Sequence, residues 1–103
     1  MERINQLKEF LKASPDDSFL QHALALEYIK VGNEQAAKLL FENILKKEPN
    51  YVGSYYHLAK LLEKLELTDK AIACYEKGMI AAKTAKDNHA YNELQAAYED
   101  LIY

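Results

Sequence analysis

Apolar residues recur along this chain at the spacing of one helix face, in six blocks parted by short polar breaks. Residues 2–13 set Ile4, Leu7, Phe10 and Leu11 among charges, which predicts an amphipathic helix. Ser14-Pro15-Asp16-Asp17 ends it. Proline disfavours helix at the residue before it, and the aspartates suit the open N–H groups of a following helix. That second helix is expected over 18–31 and stops at Gly32-Asn33, where glycine can turn left-handed. A third, over 34–47, ends on Lys46-Lys47 before Glu48-Pro49-Asn50 breaks the pattern. A fourth is expected over 52–65, and a fifth over 69–84 with Thr68 as its N-cap. Glu66 stands where the earlier pair has Gly32, so this turn has to close without a glycine. Asp87-Asn88 caps a sixth helix over 88–102, whose Ala90, Tyr91, Leu94, Ala97, Tyr98, Leu101 and Ile102 form a single stripe. A helix apolar on one face only can end a stack.

From Ser18 to Ala85 the blocks repeat. Leu24-Ala25 recurs 34 residues on as Leu58-Ala59, Ala37 as Ala71, and the ring of Phe41 as that of Tyr75. The small residues fall where two helices must approach, and the large ones where the gap between them must be filled. A period of this length marks a helical solenoid, whose units cannot bury their apolar faces alone. The expected fold is all-α: a right-handed α-solenoid of antiparallel helix pairs, six helices in one domain. Its parts are an N-terminal half-repeat helix (1–14), repeats over 18–51 and 52–85, and a third-unit or capping helix (88–103).

The pattern resembles the tetratricopeptide repeat (TPR) family. Its nine signature positions fall in the first unit on Gln21, Leu24, Ala25, Tyr28, Gly32, Ala37, Phe41, Ile44 and Pro49. In the second they fall on Tyr55, Leu58, Ala59, Leu62, Glu66, Ala71, Tyr75, Gly78 and Lys83. Gln21, Ile44, Glu66, Gly78 and Lys83 depart from the family's preferences. The opening helix is similar to the second helix of a preceding unit. The sixth is similar to the first helix of a third unit, with Tyr91, Leu94 and Tyr98 on signature positions after a shift of two residues.

The resemblance implies binding rather than chemistry, with a concave face lined by the first helix of every unit and a protein or peptide segment held there. At roughly 100° per residue, the residues opposite the core positions are Phe19, His22, Ala23, Leu26, Ile29 and Lys30 in the first unit. In the second they are Gly53, Tyr56, His57, Lys60, Glu63 and Lys64; on the sixth helix, His89, Asn92, Glu93, Ala96, Glu99 and Asp100. The partner-binding candidates are therefore Phe19, His22, Leu26, Ile29, Tyr56, His57, Lys60, Lys64, His89, Asn92 and Glu93. The family's carboxylate clamp of lysine, asparagine and arginine is replaced by His22, Leu26, His57, His89 and Glu93, so a receptor for a chaperone tail is not expected. Phe19, Leu26 and Ile29 read either as a hydrophobic docking patch or as a surface closed by residues 1–13.

Composition narrows the remaining classes. Thirteen basic against sixteen acidic side chains give a net charge of −3, without the basic footprint of a nucleic-acid binder. Charges interrupt every apolar run, so neither a membrane span nor a secretory leader is expected, and the location inferred is cytoplasmic. All three histidines, His22, His57 and His89, point to the groove side. A three-imidazole metal site would need helices spaced by roughly 8–10 Å to converge their side chains, and no H-x-x-x-H pair accompanies them. Polar groove residues are the simpler reading, with no metal or cofactor, and they would titrate near neutrality. Cys74, the single cysteine, reads as a partly buried structural thiol. Of eight tyrosines, five (Tyr28, Tyr55, Tyr75, Tyr91, Tyr98) lie on core-pattern positions, leaving Tyr56 as the groove candidate. No nucleophile–base pair or carboxylate dyad converges, so no catalysis is expected. The alternative role is structural: a weak homo-oligomer formed through the terminal faces.

Overall fold

The computed structural model describes residues 2–103, which form six helices: α1 (Glu2–Ala13), α2 (Ser18–Lys30), α3 (Glu34–Lys47), α4 (Gly53–Lys64), α5 (Thr68–Thr84) and α6 (Asn88–Ile102). All regular structure among the described residues is helical. Two compact units divide the chain, one ending at Ile44 and the other running from Leu45 to Tyr103.

Three turns share one construction. Gly32, Glu66 and Lys86 have positive φ (82°, 62° and 59°). Each N–H donates back three residues, to Ile29, Glu63 and Lys83, and the following N–H donates back five, to Tyr28, Leu62 and Ala82. This is the Schellman closure, which satisfies carbonyls that a helix end leaves open. Only Gly32 takes the left-handed conformation without a Cβ cost. The residue after each turn then precedes the next helix. Asn33 and Asp87 accept from the N–H groups of Ala36 (3.4 Å) and Ala90 (3.0 Å). Asp17 does the same for α2, accepting from Leu20 (3.1 Å). The expected cap at Thr68 is corrected: α5 begins on Thr68 itself, and its N-cap is Leu67, which has no side-chain acceptor to offer.

In the first unit Ile4 and Leu7 of α1 and Leu24 of α2 form the core, with Leu11, Leu20, Ala23, Tyr28 and Leu40 packed against it. Gln21 ties α2 to the preceding turn, its Nε2 donating to the Pro15 carbonyl at 2.8 Å. Phe10, expected on the buried stripe of α1, is instead 54% exposed.

In the second unit α5 packs between α4 and α6, and α4 also touches α6. Its core is built from Tyr55, Leu58, Ala59, Leu61, Leu62, Ala71, Cys74, Tyr75, Ala82, Leu94 and Ala97. Gly78 explains how close these helices come. A Cβ there would lie 2.7 Å from Tyr55 Cβ, 3.1 Å from Tyr55 Cγ and 3.2 Å from Leu94 Cδ1. Tyr55 is fixed at its far end too, its hydroxyl donating to the Pro49 carbonyl at 2.5 Å. Cys74 is fully rather than partly buried, with its thiol donating to the Tyr55 carbonyl at 3.5 Å.

Candidate functional site

The register that buries Leu58 and Ala59 of α4 turns Tyr56, His57, Lys60 and Lys64 the other way. Ala59 is wholly inaccessible and Leu58 nearly so, whereas Tyr56 and His57 are half-buried and Lys60 and Lys64 are exposed. At 3.6 residues per turn these four positions fall on the side of α4 away from Leu58 and Ala59. The Lys60 ammonium stands 6.0 Å over the Tyr56 ring, and the Tyr56 and His57 rings meet edge to face at 5.7 Å.

α6 adds the facing residues in this unit. Its Glu93 lies 3.7 Å from His89 Nε2 and acts electrostatically on His57 across from α4. Burial pulls the His57 pKa below its ordinary value, and the Glu93 charge partly offsets that. His57, His89 and Glu93 thus gather at one edge of the α4–α6 pair. Asn92 is exposed on α6, one residue before Glu93.

One contact lay beyond the sequence pattern. The Tyr75 hydroxyl of α5 donates to Glu63 Oε2 of α4, and the same carboxylate oxygen lies 3.9 Å from Lys60 Nζ. Desolvation, then the Glu63 hydrogen bond, push the Tyr75 pKa far above the ordinary tyrosine value, so this phenol stays a donor. The buried ring of Tyr75 thereby holds the polar side of α4. The available signal was Tyr75 replacing Phe41 in the repeat, which adds a hydroxyl without changing the ring.

In the first unit the candidates lie on α2. Phe19 is 70% exposed; His22, Leu26 and Ile29 are half-buried. The His22 ring meets Phe41 of α3 edge-on at 5.5 Å. Ala23, expected on the groove side, packs against the Ile4–Leu7–Leu24 core instead, because α1 covers that flank. Among the described residues no three His, Cys, Asp or Glu side chains come together as a metal site.

The geometry matches known proteins. A tetratricopeptide repeat domain protein from Salinibacter ruber, solved in solution, is 41% identical, with a TM-score of 0.82 over 85% of this chain and 89% of that one. The chain belongs to the tetratricopeptide repeat family. The TPR2B domain of yeast Sti1, solved as its pHsp70 complex, shares the fold at a TM-score of 0.88 and 16% identity, over 95% of this chain and 78% of that one. Mouse interferon-induced protein with tetratricopeptide repeats 3 is 23% identical over 99 residues, and this TPR chain spans about a quarter (24%) of its length. No protein-family model matches the sequence. The TPR fold is that of protein–protein interaction modules. No helix among the described residues is long and apolar enough to cross a membrane.

Proposed function

We propose that this TPR chain is a non-catalytic cytoplasmic adaptor that binds a protein or peptide segment through the outward faces of its leading helices, with no nucleic acid or membrane as partner. In the second unit the binding residues are Tyr56, His57, Lys60 and Lys64 of α4 with His89, Asn92 and Glu93 of α6. In the first unit they are Phe19, His22, Leu26 and Ile29 of α2. The observation that carries this reading is the pairing of half-buried Tyr56 with exposed Lys60 on α4, opposite a packed Leu58–Ala59 face. An aromatic ring with a cation beside it offers apolar area at low entropic cost together with a directional charge, the composition of a binding hot spot.

Selection of peptides from a random library against the wild-type chain, followed by titration against a Tyr56→Ala, Lys60→Ala double variant, tests it. Both side chains lie outside the core, so helicity should be unchanged while affinity falls by about tenfold or more, or about 1.4 kcal/mol. Equal affinity for both proteins would overturn the assignment of this face.

A further inference from the structure

Lys60 differs from other paired lysines of this chain in how its carboxylate is held. Three same-helix pairs close fully: Lys12 on Glu9 at 3.0 Å, Lys30 on Glu27 at 3.0 Å and Lys38 on Glu42 at 3.1 Å. Lys60 Nζ stays 3.9 Å from Glu63 Oε2, too far for a hydrogen bond. What sets Glu63 apart is the Tyr75 hydroxyl of α5, which donates to that same oxygen. An O–H donated to a carboxylate makes a short, strong bond, and it anchors Glu63 across to α5 rather than along α4 to Lys60. The ammonium is left between Glu63, three residues on, and the Tyr56 ring, four residues back, whose centroid is 6.0 Å away. The parts also occur together in the sequence. One period of 34 residues earlier, Tyr75 is Phe41, Glu63 is Ile29 and Lys60 is Leu26. Hydroxyl, carboxylate and ammonium are all present in the second copy and all missing from the first.

We propose that Tyr75 is a positioning residue for the α4 face: by holding Glu63 back, it keeps the Lys60 ammonium open for an acidic side chain of the bound segment. The Tyr56 ring beside it takes an apolar neighbour of that acidic residue. The inference rests on the binding face assigned above and adds the chemistry of its partner. An ammonium is a compact positive charge with three donors and no acceptor. Closed on Glu63, it would have to be released before a ligand carboxylate could use it. The Tyr75 bond removes that competition before binding, which is preorganisation. Tyr75 itself is buried and offers no surface to a ligand, so its effect on binding passes through Glu63.

A cycle of Tyr75→Phe, Glu63→Gln and the double variant tests it, each checked for helicity. The probes are short blocked peptides made in pairs that differ by one Glu or Gln. The wild type should prefer the Glu member. Tyr75→Phe keeps the ring but frees Glu63 to close on Lys60, so affinity for the Glu member should fall by about two- to fivefold, with the Gln member unchanged. Glu63→Gln removes the competitor and should bind the Glu member at least as tightly as the wild type. The double variant should match Glu63→Gln, because the hydroxyl matters only while the carboxylate is there. Without any peptide, the Lys60 ε-methylene resonances should move in Tyr75→Phe and return in the double variant. A wild type indifferent to Glu against Gln overturns the inference, as does a Tyr75→Phe chain that binds like the wild type. So does a loss that persists in the double variant or weakens both peptides alike, which is what a purely structural role for Tyr75 predicts. If Tyr56→Ala, Lys60→Ala still abolishes binding, those results remove the role of Tyr75 alone; if it does not, the α4 face falls with it.

Discussion

Gly78 has no side chain because Tyr55 already occupies the space. A methyl group there would stand 2.7 Å from Tyr55 Cβ, and the neighbour is held by its bond to Pro49. Gly78→Ala should therefore cost about 1–3 kcal/mol in urea unfolding, although alanine is the better helix former. Glu66 is the reverse case. At φ 62° it bears a left-handed cost of about 1–2 kcal/mol, while glycine adds an entropic cost of about 0.5–1, so Glu66→Gly should gain about 0.5–1 kcal/mol. Glu66 was legible as a missing glycine because the repeat supplies Gly32 for comparison. Gly78 read only as a departure from pattern, because a close approach between two helices leaves no local trace. Tyr75 gives a pH signature. Its pKa is raised by burial and by Glu63, so above about pH 10 the unfolded chain releases a proton that the folded protein keeps. That contribution is complete below this pH and is lost as pH rises through it. Tyr75→Phe should accordingly flatten the alkaline decline of the unfolding midpoint.

Helix ends carried most of what the sequence disclosed about the elements. Asp17, Gly32, Pro49 and Asp87 each mark an end through a bond or a backbone conformation that depends on their own chemistry, and the helices start and stop within a residue or so of where those residues place them. Thr68 misled because a hydroxyl before an apolar stretch looks like a cap, whereas the Schellman closure on Glu66 sets the start of α5 one residue earlier. Asp17→Ala and Asp87→Ala should each cost about 1 kcal/mol, read from thermal or urea midpoints. The fate of Phe10 was not legible from α1 alone. Its spacing matches Ile4 and Leu7, but the helix that would cover its side of α1 is a property of the stack and not of the segment.

The repeat period was visible in the residues, and with it the TPR fold. Electrostatic detail was not, because it depends on which side chains meet across helices. The half-buried His57 and the Glu93 that acts on it are 36 residues apart in sequence. The effect on stability has a definite sign. Burial lowers the His57 pKa from 6.5, so the unfolded chain takes up its proton first as pH falls. The stabilisation is complete above about pH 6.5 and is lost on acidification. A His57→Gln chain should show a shallower loss of unfolding midpoint between about pH 7.5 and about pH 5.5, and peptide affinity should change over the same interval in the wild type. The measurement that bears most directly on the account is a map of backbone amide chemical shifts during titration with a selected peptide. The largest shifts are expected at Tyr56, His57, Lys60, Asn92 and Glu93, with α5 surface residues such as Lys77 and Ile80 little changed. Shifts concentrated on Lys77 and Ile80, with Tyr56 and Lys60 silent, would contradict it.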